Sequence, residues 1–164
     1  YQVLAKYYDA LVKDDEATAA WVDLIKAHMP KGDIMELACG SGEITIALSK
    51  EGYHVSASDL SQDMINAAKS KPGSEAISWS VMDMSEFEDE HTYDGILCLC
   101  DSFNYLLSDE QVDHMFTKVY EHLREHGVFI MDMHSMDRLD EFEEEYNEAG
   151  KNQCHMNISG QFMQ

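Results

Sequence analysis

The chain has 164 residues, 45% hydrophobic and 26% charged, with 9 Gly and only 2 Pro, a balance that fits one globular domain and excludes collagen or a wholly disordered polymer. Eleven Lys plus Arg stand against 32 Asp plus Glu, for a formal net charge of -21. A surface of that sign repels phosphate backbones, so nucleic acid and anionic membranes are poor partners unless a basic patch exists, and the sequence shows none. No apolar run approaches the roughly 18 residues of a membrane span, and Tyr1 to Val12 has neither the basic region nor the cleavage site of a secretory signal. The four cysteines, Cys39, Cys98, Cys100 and Cys154, form no C-x-x-C pair, so reduced thiols in a cytoplasm are expected.

In chain order, helical signals come first, over Tyr1 to Val12 and from about Glu16 to Met29, the latter with Trp21, Leu24, Ile25 and His28 on one face. From Asp33 onward, β-rich runs alternate with amphipathic stretches, the pattern of βαβ units around a parallel sheet. Strands are predicted near 33–38, 53–58, 76–82, 93–100 and 128–134, and helices near 42–51, 61–70 and 108–126. The last helix carries Val112, Phe116, Val119 and Leu123 at helical spacing, a Ser108 and Gln111 capping box, and Gly127 as its stop. Residues 137–148 then hold seven carboxylates against the single Arg138, as a solvated helix or acidic loop would. From Cys154 to Phe162 apolar and polar residues alternate, the period of a half-buried strand. A lone strand lacks a partner, so the expectation is that its partners lie further along a longer chain or on a second subunit, with self-association through that edge. The division expected is a main domain over 1–136 and the start of an incomplete covering segment over 137–164.

The most informative segment is Glu36-Leu37-Ala38-Cys39-Gly40-Ser41-Gly42-Glu43, between the first strand and the next helix. Small residues there let backbone approach a ligand closely, and the helix start offers unpaired N–H groups; a tight turn with nothing bound is the plainer alternative. A P-loop would need Gly-Lys-Ser/Thr, and a dinucleotide fingerprint would need a small residue where Thr45 stands. Asp59 follows Gly42 by 17 residues. A carboxylate there suits a pair of ribose hydroxyls, or serves as a turn residue ahead of Ser61.

An acidic strand end, Glu36, followed by Ala38, Gly40 and Gly42 resembles motif I of the class I S-adenosylmethionine-dependent methyltransferases, with Ala38 where the family usually has Gly. The resemblance runs from Asp33 to His134 through Ser58-Asp59-Leu60-Ser61 and Val81-Met82-Asp83-Met84, and Tyr7-Tyr8-Asp9 resembles the Tyr-Asp helix of small bacterial members. It implies a Rossmann-like, mostly parallel open sheet ordered 3-2-1-4-5, helices on both faces, and C-terminal strands that this chain lacks. It also implies S-adenosylmethionine as cofactor, held by Tyr8, Glu36, Ala38, Gly40, Gly42, Asp59, Leu60, Met64, Asp83, Met84 and Cys100. Plainer readings stand beside these: Asp83 as a surface acid, Met64 as core, the tyrosines as a packed helix face.

In an open α/β sheet the ligand lies beyond the carboxyl ends of the strands at the switch point, which turns Asp101, Asn104 and Tyr105 toward the reacting centre. The implied function is methyl transfer to a small molecule, with Asp101 and His134 as candidate bases; a non-catalytic cofactor-binding module and a nicotinamide oxidoreductase are the alternatives. His122-Leu123-Arg124-Glu125-His126 matches the H-x-x-E-H pattern of a zinc peptidase family. No third ligand is evident, and the helical stripe turns His122 toward solvent, so no metal is expected.

Overall fold

In the computed structural model, residues 14–135 are described. The chain divides into two units, Tyr1–Asp132 and Met133–Gln164, and the whole sheet lies in the first. The helix expected over Tyr1 to Val12, the acidic run over 137–148 and the alternating segment from Cys154 to Phe162 lie outside the described residues.

Helix α1 (Asp15–His28) starts where Asp14 accepts the N–H groups of Glu16 and Ala17, each at 2.9 Å. Then β1 (Asp33–Leu37), α2 (Glu43–Lys50), β2 (His54–Asp59), α3 (Gln62–Lys69), β3 (Ser78–Val81), β4 (Tyr93–Cys98), α4 (Asp109–His122) and β5 (Leu123–Met131) follow. The sheet order is β3-β2-β1-β4-β5, with every neighbouring pair parallel. This is the Rossmann-like order expected, with its switch point between β1 and β4.

Both faces of the sheet are covered, so β1 is buried almost end to end. One apolar layer joins Ile34, Val55, Ala57 and Leu97 to Val22 and Ile25 of α1, to Met29 just after it, and to Ile44 and Leu48 of α2. The other joins Met35, Leu37, Ile96 and Cys98 to Phe87 and to Met115 and Val119 of α4. Among the described residues, no helix is long and apolar enough to cross a membrane.

Four expectations need correction. The buried stripe of α1 is Val22, Ile25 and Met29, while Leu24 and His28 face outward. Helix α4 ends at His122 rather than near 126, because Leu123 already pairs with Tyr93 in the sheet. The residues after Leu123 bulge out before Val128 pairs with Gly95. Glycine 127 is therefore not the helix stop; the cap is Leu123, whose N–H reaches Val119 O.

His122 is the third correction. It is buried, not turned to solvent, stacked on Phe87 at 4.3 Å between ring centroids, with Nδ1 2.7 Å from Lys118 O. The apolar stripe runs through Met115 and Val119, which carries His122 inward and leaves Phe116 on the flank against Phe103 and Phe129. His126 lies in the bulge with φ 65, so the two histidines do not share a helix face. Finally, β4 stops at Cys98 rather than at residue 100, because the chain then turns left-handed.

Candidate functional site

Because the strands are parallel, their carboxyl ends form one edge, and the loops after β1, β2, β3 and β4 leave from it. After β1 the backbone turns left-handed at Ala38 (φ 52), Gly40 (φ 55) and Gly42 (φ 77). The loop is pinned to the neighbouring strand by Cys39 N–H donating to Ser58 O at 2.9 Å. Its two glycines do different work. A Cβ on Gly42 would sit 2.5 Å from the Trp79 ring, whereas one on Gly40 would meet no atom of the described residues within 4 Å. Gly42 thus closes helix α2 onto the core, and among the described residues nothing crowds Gly40.

Asp59 ends β2 and joins two loops. Its Oδ2 accepts Gly40 N–H and its Oδ1 accepts Ser61 N–H, both at 2.8 Å. Each carboxylate oxygen has a second lone-pair direction, so the bridge leaves room for further donors. Leu60, next along, is 70% exposed, an apolar side chain standing open beside the bridge. Met64 lies in the first turn of α3, its N–H capped by Ser61 Oγ at 3.4 Å.

Glu36 lies beneath the loop, buried, with Thr45 Oγ1 donating to Oε2 at 2.5 Å. Burial pushes its carboxyl up to about 7, with the Asp59 charge adding and the Thr45 hydrogen bond opposing. Burial also raises the Cys39 thiol, helped by the Glu36 and Asp59 charges, so that thiol is a poor nucleophile near neutral pH. Beyond β3, Asp83 caps the 3-10 turn Met84–Glu86, its Oδ1 accepting Ser85 N–H at 2.8 Å and Ser85 Oγ–H at 2.7 Å. The Met84 side chain is core, with its sulfur 3.9 Å from the Cys98 thiol, so only its backbone is placed for recognition.

At the tip of β4, Cys100 (φ 57) and Asp101 (φ 61) are successive left-handed residues. The 3-10 turn Ser102–Tyr105 follows, in which Asn104 Nδ2 donates to Asp101 O at 3.0 Å and Tyr105 is 78% exposed. Ser102 Oγ donates to Ala38 O at 3.4 Å, tying this turn to the glycine loop. Partial burial, then the charge of Asp132, raises the Cys100 thiol to about 11.

Glu36, Ala38, Gly40, Gly42, Asp59, Leu60, Met64, Asp83, Met84, Cys100, Asp101, Asn104 and Tyr105 therefore all lie on the carboxyl edge or in the loops leaving it. Tyr8 lies outside the described residues, and His134 belongs to the second unit. Three contributors carried no assigned role in the sequence. Thr45 and Ser102 are buried hydroxyls whose partners are set by tertiary contact, and Asp132 follows the last strand. A polar residue directly after a strand at the switch-point side is the one signal that pointed to Asp132. Among the described residues, no group of three or more His, Cys, Asp or Glu is gathered to hold a metal ion.

An open parallel sheet with a left-handed small-residue loop at its switch point and an acid ending the neighbouring strand defines a nucleotide-type ligand site on a Rossmann-like fold. Residues 34–127 match the family described as "Methyltransferase domain", which is more than half of the chain, and the chain belongs to that family. It is 35% identical over 144 residues to "Putative methyltransferase YqeM" of Bacillus subtilis (strain 168), covering 86% of this chain and 58% of that protein. It is 31% identical over 148 residues to "Putative methyltransferase GWCH70_2453" of Geobacillus sp. (strain WCH70), covering 85% of this chain and 60% of that protein. A crystal structure of an S-adenosylmethionine-dependent methyltransferase from Clostridium acetobutylicum ATCC 824 superposes with a TM-score of 0.67 at 29% identity, over 81% of this chain and 55% of that one. The resemblance to class I S-adenosylmethionine-dependent methyltransferases is borne out, and the chain spans about three fifths of the length of these curated relatives.

Proposed function

We propose that the carboxyl edge binds S-adenosylmethionine and that the protein transfers its methyl group to a small-molecule acceptor. The observation that carries this reading is Asp59, bridging Gly40 and Ser61 N–H groups beside an open glycine. The fit is supported by charge: the cofactor carries a sulfonium and an ammonium, and the acids Asp59, Asp83 and Asp101 stand in the loops of this edge, with Glu36 buried beneath them. In this reading Asp59 accepts the ribose hydroxyls. Asp83 and the Met84 backbone N–H meet the adenine, with Leu60 and Met64 over the ring. Ala38, Gly40 and Gly42 shape the approach, underlain by Glu36, and Cys100 and Tyr8 complete the cofactor side.

When bound, the cofactor supplies a methyl group already activated on sulfur. The chain's task is to hold the acceptor in line, exclude water and, for an amine or hydroxyl acceptor, take a proton. Asn104 and Tyr105 are assigned to the acceptor, and Asp101 to proton transfer. The net charge of -21 favours a neutral or cationic small molecule over nucleic acid. The free thiols of Cys39, Cys98 and Cys100 support a cytoplasmic setting.

Titration calorimetry with S-adenosylmethionine, S-adenosylhomocysteine and the nicotinamide dinucleotides tests the binding half. The reading expects binding of the first two and none of the last. An assay for the demethylated product across amines, hydroxyl compounds and thiols tests turnover. Cofactor binding with no product from any acceptor would favour a non-catalytic binding module.

A further inference from the structure

Asp132 directly follows β5, and its N–H continues the pairing with β4 by donating to Cys98 O at 3.3 Å. Its Oδ2 accepts the Asp101 N–H at 3.0 Å. Its Oδ1 is buried and, among the described residues, has no hydrogen-bond partner. A half-satisfied carboxylate is costly and needs a reason for being there.

The reason lies at the other end of the bond. Two successive non-glycine residues in the left-handed region, Cys100 and Asp101, are disfavoured by contact between Cβ and backbone. Neither is a glycine, so an outside contact has to hold the turn. Asp132 supplies that contact, an acceptor oxygen brought to the Asp101 N–H from the end of β5. The same turn reaches the glycine loop through Ser102 and Ala38, and it anchors Asn104 through Asp101 O.

We infer that Asp132 is a positioning residue: by fixing the Asp101 N–H it holds the left-handed Cys100–Asp101 turn, and through Ser102 it sets the glycine loop for its ligand. This rests on the reading of the edge as an S-adenosylmethionine site.

The test uses the full chain, isotopically labelled, as wild type, Asp132→Ala, Asp132→Asn and Asp132→Glu. Three quantities are read: hydrogen exchange at the Asp101 amide, calorimetric affinity for S-adenosylhomocysteine, and melting temperature. In Asp132→Ala, the Asp101 amide is expected to exchange about tenfold faster or more, with affinity reduced by about three- to tenfold. Asp132→Asn keeps an acceptor oxygen and should restore most of both. If Asp132→Ala does not fold, Asp132→Glu takes its place, since it keeps the charge but displaces the oxygen and should still lose protection.

An unchanged Asp101 amide overturns the inference. So does faster exchange with unchanged affinity, or an Asp132→Asn variant no better than Asp132→Ala. Failure of the wild type to bind S-adenosylhomocysteine would instead defeat the proposed function, while the amide measurement still decides whether Asp132 holds the turn.

Discussion

The two edges of the sheet are built from the same strands and differ in how their charges are answered. At the amino edge, Arg124 reaches from the β5 bulge to Asp33 of β1 at 2.6 Å and Asp94 of β4 at 2.8 Å. Asp94 also accepts the Asp33 N–H at 2.8 Å. The Arg124 hydrogen bond holds the Asp33 carboxyl below its usual range. At the carboxyl edge, the acids are met by backbone N–H and hydroxyl groups: Asp59 by Gly40 and Ser61, Asp83 by Ser85, Glu36 by Thr45. Left-handed non-glycine residues at Ala38, Cys100 and Asp101 collect there as well. One edge ties strands together with opposite charges. The other fixes its carboxylates through backbone and hydroxyl donors, which leaves Asp59 second lone-pair directions for the ligand of the proposed site.

The comparison is broken hardest at the glycine loop. Gly42→Val would drive a branched side chain into Trp79 at a φ of 77, and strain plus overpacking should cost about 3 kcal/mol or more of stability. Gly40→Ala meets no atom of the described residues within 4 Å at a φ of 55. It should cost only about 1 kcal/mol of stability yet lose cofactor affinity, because its methyl enters the ligand's space. Denaturant melts and calorimetry on both variants check the contrast.

Glu36 gives the next effect, of similar size and with a definite sign. Its carboxyl is raised from 4.5 to about 7 in the folded state, so between those values the folded chain binds the extra proton. Stability from this group is complete below 4.5 and falls as pH rises to 7. Glu36→Gln removes the charge but keeps an acceptor for Thr45. Its stability advantage should therefore grow with pH across that window and level off above it, reaching on the order of 3 kcal/mol. Urea unfolding of both proteins over the window is the check, and parallel curves would contradict the account.

Asp59→Ala should weaken S-adenosylmethionine binding at least tenfold, since hydrogen bonds to a charged acceptor contribute about 1.5 to 3 kcal/mol each. The smallest effect is expected at the opposite edge. Arg124→Ala should lower the melting temperature, by less in high salt, with cofactor affinity unchanged.

The sheet order and the loop after β1 were legible in the sequence for physical reasons. Alternating β and helical periods restrict topology, and Gly40 and Gly42 sit where only small residues allow the backbone its turn. Capping was legible too: Ser108 Oγ accepts Gln111 N–H at 3.3 Å, though the Gln111 side chain returns to Leu107 N–H rather than to that of Ser108. Helical spacing alone does not choose between a stripe through Val112, Phe116, Val119 and Leu123 and one through Met115, Val119 and His122. Tertiary packing on Phe87 decided it. The Cys100–Asp101 turn carries no glycine to announce it, and the hydrogen bond from Asp132 that accompanies it spans 31 residues. Long-range polar contacts of that kind have no local pattern.

The most direct test of the two-edge account is an amide chemical-shift map of the labelled chain as S-adenosylhomocysteine is added. The account predicts that the shifted resonances cluster at Gly40, Ser61, Met84, Asp101 and their neighbours, while His54, Asp94 and Arg124 at the amino edge stay in place. Shifts centred on the amino edge, or spread evenly over the sheet, would contradict it.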